Sequence, residues 1–314
     1  MKSKTKGYIL GSVAAATYGM NPLFALPLYA EWMGASDVLL YRYTIALAIL
    51  AIMIKWRGQS MKVTKKQLAQ LIPLGLLMGL SSLLLFESYN HMSAGIASTM
   101  LFVYPLMVAL IMSIAFHERL NLKTIICIGT AFGGISLLYK GEDGSTLSTT
   151  GTIFVLLSAL SYAIYLVWVN RPSLKGIPTL VLTFYVILAG VAIFMIEPLS
   201  RQSLSIPSSP LSWGCVVSLG LLPTAVSLVC TTLAIQEIGS TPTAILGALE
   251  PLTAVFFGII LFNETLTLRD VIGLCLILAA VSSVIAGDNI SVTLLRMRKM
   301  FPAFYHRMKN HLQH

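Results

Sequence analysis

Two stretches of the chain, 146 residues apart, share one pattern of apolar and polar residues. Residues 101–123 read LFVYPLMVALIMSIAFHERLNLK, and residues 246–270 read LGALEPLTAVFFGIILFNETLTLRD. At this fixed offset Pro105 matches Pro251 and Glu118 matches Glu264 without a gap. The match runs from inside one apolar segment, through a loop, into the next segment. The pattern therefore indicates that the chain is a duplicated module.

The composition predicts a protein that crosses a membrane several times. Of the 314 residues, 56% are hydrophobic and 11% are charged, and the mean hydropathy is +0.83. Soluble domains carry about 25% charged residues. The net charge of +9 does not indicate nucleic-acid binding, because the basic residues lie between apolar runs. The four cysteines lie within apolar runs without C-x-x-C spacing, so no disulfide, metal or other cofactor is expected.

Ten apolar runs approach the length of about 20 residues that a membrane-spanning helix needs. They lie at residues 8–28, 37–54, 68–89, 95–116, 124–140, 151–169, 178–197, 213–235, 241–262 and 271–287. The predicted fold class is an all-α polytopic membrane protein of ten helices. The first five-helix repeat spans residues 1–140 and the second spans 141–287. Because five is odd, the repeats must enter the membrane from opposite sides, which gives an inverted 5+5 arrangement.

The distribution of basic residues predicts that both termini are cytoplasmic, in the cytoplasmic (inner) membrane. With the N-terminus inside, 17 of the 21 lysine and arginine residues lie on the cytoplasmic side and three lie outside. The tail, residues 288–314, is predicted to be a basic amphipathic cytoplasmic segment that can lie among lipid headgroups. A loosely ordered basic tail is the alternative, since Pro302 interrupts a single straight helix.

Glu250 is the leading candidate for a functional residue. It lies near the middle of the ninth run, with no lysine or arginine at its depth, and Pro251 follows directly. A proline interrupts helix hydrogen bonding, and interruptions at the midplane are where transporters place their binding sites. Glu250 would then interact with a substrate or exchange a proton. The alternative is a neutral structural acid beside a proline that only kinks the helix.

Two further charged residues, Arg42 and Glu87, lie at matching depths within the second and third runs. Ionisable residues inside a membrane face a cavity or pair with one another. We expect the two side chains to approach each other near the outer end of the cavity. The pair can serve the substrate, or it can be a buried ion pair that fixes helix packing.

Uncharged residues complete the candidate set. Tyr162 and Tyr165 share a helix face because they are three residues apart, and Tyr104 occupies the position equivalent to Glu250 in the first repeat. Prolines are expected to kink three spans. Small residues are expected to let helices pack closely. The remaining cavity candidates are Tyr18, Asn21 and Thr224, the kink residues are Pro105, Pro223 and Pro251, and the small residues include Gly75, Gly79, Gly129, Gly133 and Gly134.

Glu118 and Glu264 follow the two matched apolar runs and precede the next predicted helix in each repeat. Each carboxylate is predicted to cap the start of that next helix, where it meets the positive end of the helix dipole. This structural role is preferred over a catalytic one.

The repeated segments YPLMVALIMSIAFHERLNL and LEPLTAVFFGIILFNETLTL, with YRYTIALAILAI in the second run, resemble the signature of EamA-type members of the drug/metabolite transporter superfamily. The resemblance covers roughly residues 7–287. It implies a ten-helix secondary transporter with a central cavity lined mainly by spans 1, 3, 4, 6, 8 and 9. It also implies export of amino acids or other small metabolites. Tyr104 replaces an acid in the first copy, so the repeats do not carry two equivalent carboxyl groups.

Two other function classes remain as alternatives. An intramembrane enzyme is disfavoured because His117 and Glu118 are followed by Arg-Leu-Asn, which is not the spacing of a zinc site. A passive channel or a structural membrane subunit would need a continuous polar stripe or a large exposed packing face, and neither is visible. The expected partners are a small-molecule substrate and the lipid bilayer, with proton coupling through Glu250 as one interpretation. The substrate, direction, coupling ion and oligomeric state do not follow from the sequence.

Overall fold

The structure is a computed structural model that describes residues 2–116, 122–139, 148–169, 174, 176–238, 243 and 246–283. These residues form helices and no strand. Seven helical segments among them are long and apolar enough to cross a membrane, and Leu122–Leu138 and Leu249–Phe262 are shorter apolar helices. The predicted all-helical membrane class is confirmed. The tail at 288–314 lies outside the described residues.

The first repeat contains seven described helices, because two of its spans are interrupted. Thr64 begins one of them with a capping box, in which its side chain and that of Gln67 satisfy each other's backbone N–H groups. The helices are α1 (Lys2–Gly19), α2 (Asn21–Ala30), α3 (Ala35–Trp56), α4 (Lys65–Ser88), α5 (Ala94–Leu101), α6 (Tyr104–Phe116) and α7 (Leu122–Tyr139).

The second repeat contains the remaining helices. Ser209 caps one of them by accepting a hydrogen bond from the backbone of Ser212. A π-helical segment, Leu221–Val226, separates two of the helices. The helices are α8 (Thr149–Val169), α9 (Thr179–Phe194), α10 (Ile196–Arg201), α11 (Pro210–Gly220), α12 (Ser227–Ile238), α13 (Leu249–Phe262) and α14 (residues 268–283).

Spans of the two repeats are interrupted at matching places. The predicted fourth span breaks at Phe102 and Val103, between α5 and α6, and the predicted ninth span breaks at Gly247 and Ala248, directly before α13. A proline follows each break by two or three residues, where its fixed φ and missing N–H suit the first turn of a new helix. The predicted interruptions beside Pro105 and Pro251 are therefore present.

Helices of one repeat pack mainly against helices of the other. α4 packs along α8 and α9, α1 along α12 and α13, and α5 against α13. Gly79 lies so close to α9 that a Cβ added there would be 3.0 Å from the Gly190 Cα atom. Gly134 meets α14 in the same way, but a Cβ added at Gly129 or Gly133 would meet no atom of another described segment within 4 Å. The close-packing prediction is thus wrong for those two glycines, which lie on the outer face of α7.

The bundle has two ends, which we name by their residues. The near end holds the start of α1 and the end of α12, where the Lys6 Nζ atom lies 3.9 Å from Glu237 Oε1. The far end holds the turns after α2, α4, α10 and α13, which are joined by hydrogen bonds between the repeats. The candidate site lies between these ends, at the helix breaks.

Candidate functional site

Three half-helices begin inside the bundle, and each places a candidate residue in its first turn. Asn21 is the first residue of α2, Tyr104 is the first of α6, and Glu250 is the second of α13. The first N–H groups of a helix have no intrahelical acceptor, and its dipole is positive at that end. Broken helices of this kind create polar positions within an otherwise apolar membrane protein.

The break in the first span lies directly against the break in the ninth. A Cβ added at Gly19 would overlap the backbone oxygen of Glu250, and it would lie 2.7 Å from Thr253 Cβ. Only glycine permits this approach, because any side chain there would separate the two backbones. The contact places Tyr18 and Asn21 beside the first turn of α13.

Tyrosines from three different helices lie near the Glu250 carboxyl group. The ring of Tyr104 meets that of Tyr162 edge to face, with centroids 4.7 Å apart, and Tyr162 stacks on Tyr165 at 5.9 Å. The phenol groups of Tyr18, Tyr104 and Tyr162 all interact electrostatically with Glu250. The structure therefore brings together candidate residues that are up to 232 positions apart in the sequence.

Glu250 itself makes no side-chain hydrogen bond or ion pair with any other described residue. Its backbone N–H bonds to the Gly247 oxygen at 2.9 Å, which belongs to the turn before α13. A carboxyl group in this position can accept donors from a bound molecule without first breaking a protein contact.

Arg42 is buried, with 6% of its surface exposed. Its Nε donates a hydrogen bond to Thr224 Oγ1 at 3.3 Å, and its guanidinium lies 5.5 Å from the centroid of the Phe86 ring. The phenol of Tyr18 also interacts with it electrostatically. Thr224 belongs to the π-helical segment, where Pro223 supplies the predicted distortion of the eighth span.

The predicted approach of Arg42 and Glu87 does not produce an ion pair: no nitrogen–oxygen distance between these two described side chains is within 4 Å. Glu87 Oε2 instead accepts a hydrogen bond from Asn90 Nδ2 at 3.2 Å, at the far end. The reason is the helix period, because neighbouring residues point about 100° apart on a helix. Phe86 faces Arg42, so Glu87 is turned away from it.

Asn21 is buried, with 3% of its surface exposed, and its Oδ1 atom has no hydrogen-bond partner. The described residues supply no hydrogen-bond donor to its oxygen. A buried acceptor without a donor costs free energy. It is also free to accept a donor from a ligand.

Two acids at the far end, Asp37 and Glu31, were missed as candidates, although each is tied to the other repeat. Asp37 is fully buried and accepts a hydrogen bond from Arg201 Nη2 at 3.0 Å, and Arg201 Nε lies 3.4 Å from Glu197 Oε1. Glu31 accepts hydrogen bonds from three serines, at 2.8 Å for Ser208 Oγ. The only signal in the sequence was their common position beside span ends.

The serine hydroxyl groups around Glu31 stabilise its charged form. Ser212 and Ser208 contribute most, with Ser209 beside them, and together they hold the pKa of the Glu31 carboxyl at about 2, below its ordinary value of about 4.5. Glu31 follows α2 directly, outside the apolar segment. It therefore stays ionised over the physiological pH range.

Glu264 caps a helix, but not the one that the sequence predicted. The next helix, α14, begins with Thr267 and Asp270, which satisfy each other's backbone N–H groups at 2.9 and 3.2 Å. Glu264 instead crosses to the other repeat, where Oε2 accepts from Ser93 Oγ at 2.5 Å and Oε1 from the Ala94 N–H at 3.0 Å. The prediction that Glu264 caps the helix following it was therefore wrong. Glu118 lies outside the described residues.

The described residues contain no group of three or more histidine, cysteine, aspartate or glutamate side chains that could hold a metal ion. The candidate side chains described above carry aromatic, amide, carboxyl and guanidinium groups.

The family model for EamA-like transporters matches the chain twice, at residues 5–140 and 149–286. The chain belongs to the EamA-like transporter family. The two matched regions each contain one of the helix breaks described above, at residues 102–103 and 247–248. Membership also identifies the chain as a multi-pass membrane protein involved in transport.

Similar proteins are named as transporters. The threonine/homoserine exporter RhtA of Salmonella typhimurium is 28% identical over 249 residues, which cover 79% of this chain and 81% of the exporter. An uncharacterized transporter of Archaeoglobus fulgidus is 31% identical over 185 residues, which cover 59% of this chain and 64% of that protein, slightly less than two thirds of its length.

A crystal structure of another protein has the same fold. It matches with a TM-score of 0.63 at 17% sequence identity, and the match covers 89% of this chain and 96% of that chain. At this level of identity the similarity concerns the fold alone.

Proposed function

We propose that this EamA-like transporter is a secondary active exporter of small metabolites such as amino acids. Its substrate would bind in the central cavity at the helix breaks and cross by alternating access. One observation carries the proposal: three half-helices, α2, α6 and α13, begin inside the bundle and carry Asn21, Tyr104 and Glu250 in their first turns. A structural subunit has no need of such polar groups within apolar spans.

The proposed arrangement is ten spans in two inverted repeats, in the inner membrane, with both termini cytoplasmic. The matching interruptions of the fourth and ninth spans support the repeat, and the basic residues support the orientation. In this orientation the far end faces outward. The hydrogen bonds that Glu31, Asp37 and Glu264 accept from the other repeat at that end would then have to break or shift when the outward path opens.

The substrate class rests on the cavity and on the relatives. RhtA, which aligns with most of this chain, is named for threonine and homoserine. A cavity with a carboxyl, a guanidinium and several phenol groups suits a small polar molecule more than an apolar one. Export of an amino acid by this chain is therefore the proposal that both observations favour.

The test is uptake of labelled amino acids into inside-out vesicles, because an exporter moves its substrate into such vesicles. Vesicles without the protein give the background, and Glu197→Gln, at the exposed far end, is a matched carboxyl control. We expect the labelled amino acid to accumulate inside the vesicles above its external concentration. This accumulation should collapse when the proton gradient is dissipated. Uptake that only equilibrates, whatever the gradient, indicates a passive channel, and uptake equal to background for every amino acid and small metabolite tried contradicts the proposal.

A further inference from the structure

Arg42 is a buried positive charge without a negative partner. It is the eighth residue of α3, and no carboxylate among the described residues is within 4 Å of its nitrogens. Its neighbours Thr224, Phe86 and Tyr18 are all neutral. A buried charge is costly unless it is paired and hydrogen-bonded. The structure therefore contains a position that an anionic group would complete.

The neighbours of Arg42 hold its guanidinium in place without using all its donors. Thr224 takes the Nε donor, the ring of Phe86 lies at 5.5 Å, and the phenol of Tyr18 interacts with the guanidinium electrostatically. A guanidinium carries more N–H donors than these contacts occupy. Its planar fork matches the two oxygens of a carboxylate, and this match makes arginine the usual residue for carboxylate recognition.

Acceptors without donors also lie near Tyr18, since its neighbour Gly19 lies directly against the backbone of Glu250. The phenol of Tyr18 interacts with both Arg42 and Glu250. The Glu250 carboxyl makes no hydrogen bond to another described residue, and the buried Asn21 Oδ1 has no partner. Asn21 lies three residues after Tyr18, across the break between α1 and α2. The unused donors of Arg42 and the unused acceptors of Glu250 and Asn21 thus lie near the same tyrosine.

We propose that this cavity recognises the zwitterion of a free α-amino acid, with Arg42 binding the α-carboxylate and with Glu250 and Asn21 Oδ1 accepting from the α-ammonium. This assignment rests on the proposed transport function and adds the chemical groups that the substrate must carry. An amine without a carboxylate leaves Arg42 unpaired, and a carboxylate without an amine leaves Glu250 and Asn21 unpaired. Both are therefore bound more weakly than the amino acid, because buried unpaired groups cost free energy.

The first test needs no variant. The thermal stability of the purified protein is measured with each proteinogenic α-amino acid in turn, and the one that stabilises most is compared with its own α-amide and its own deamino acid. We expect binding of both analogues to be weaker by about tenfold or more, the loss typical of one charge-assisted hydrogen bond. An amide that binds as tightly as the acid overturns the assignment of Arg42. Stabilisation by no amino acid overturns the whole inference, while gradient-driven uptake of another metabolite would leave the transport proposal standing.

The second test separates recognition from packing. Arg42→Gln is expected to reduce binding of the amino acid by about tenfold or more while leaving binding of its amide unchanged. Arg42→Lys keeps the charge but loses the planar set of N–H donors. Its affinity for the amino acid is expected to lie between those of the parent and Arg42→Gln. Arg201→Gln is the matched control, since Arg201 pairs with Asp37 at the far end, and its ratio of acid to amide affinity should equal that of the parent. If Arg42→Gln weakens the acid and the amide equally, Arg42 has a packing role and the assignment is wrong.

Discussion

Glu264 provides the sharpest test of how the two repeats are joined. Its carboxylate accepts hydrogen bonds from Ser93 Oγ at 2.5 Å and from the Ala94 N–H at 3.0 Å. Ser93 does not cap α5 with its own side chain, so the Glu264 carboxylate serves as the cap from the opposite repeat. Asn263, in the left-handed region at φ 52°, turns the chain so that Glu264 reaches back.

The contribution of Glu264 to the free energy of unfolding can be worked out from these contacts. A hydrogen bond to a charged group contributes about 1.5–3 kcal/mol, and a carboxylate at a helix N-terminus adds about 0.3–1 kcal/mol. Glu264→Gln keeps one acceptor oxygen and loses the charge, so we expect it to lower the free energy of unfolding by about 1–2 kcal/mol. Ser93→Ala removes one of the same hydrogen bonds. The double variant should therefore lose less than the sum of the two single losses, by about 1 kcal/mol.

The measurement is thermal unfolding in detergent, followed with a thiol-reactive fluorescent dye. Cys127 and Cys215 are free and buried, so they report the loss of structure, and the exposed Cys275 is replaced by serine in every variant. For domains of about 150–250 residues, a change of 1 kcal/mol in the free energy of unfolding corresponds to about 2–4 °C in Tm. Glu197→Gln is the control, since its carboxylate forms an exposed ion pair with Arg201, and such pairs contribute about 0–1 kcal/mol.

Gly258→Ala disturbs the same contact from the other side. A Cβ added at Gly258 would overlap Glu264 Oε2, so the methyl group should displace the carboxylate and lower Tm as Glu264→Gln does. In the Glu264→Ala background the cost of Gly258→Ala should fall, because the overlapping atoms are gone. Additive losses for Glu264→Gln and Ser93→Ala, or a Tm for Glu264→Gln equal to that of the parent, would refute the inferred cap.

Three further predictions concern other parts of the molecule. Glu250→Gln, which nearly preserves size but cannot ionise, should abolish the pH dependence of vesicle uptake; parent-like uptake over the whole accessible pH range would exclude an ionisable role. The depressed pKa of Glu31 means that its ionised form adds stability above its ordinary pKa of about 4.5, which is lost as pH falls toward 2. Glu31→Gln should thus lower Tm at neutral pH, and the difference in Tm from the parent should shrink between pH 4.5 and 2. A difference in Tm that does not change with pH contradicts stabilisation of the Glu31 carboxylate by the serines. A reporter fused after His314 should be active only on the cytoplasmic side, and activity on the outer face alone would reverse the proposed orientation.

The class of the protein and the location of its helix breaks could be predicted from the sequence. Hydropathy and segment length fix the class, because only helices or closed barrels satisfy backbone polar groups in lipid. Pro105 and Pro251 fix the breaks, because a proline lacks the N–H and favours the first turn of a helix. These are local properties, so the repeated motif alone located the half-helix that carries Glu250.

The partners of the charged residues depended on the tertiary structure. Arg42 lies beside Thr224, 182 positions away, instead of pairing with Glu87. Glu264 caps a helix 170 positions earlier instead of the one that follows it. A sequence pattern gives the depth of a residue and its position on a helix face. The rotation of a helix and the identity of its neighbour are set by packing across the two repeats, through contacts such as that of Gly19 with the backbone of Glu250. Those contacts form only when both repeats have folded against each other.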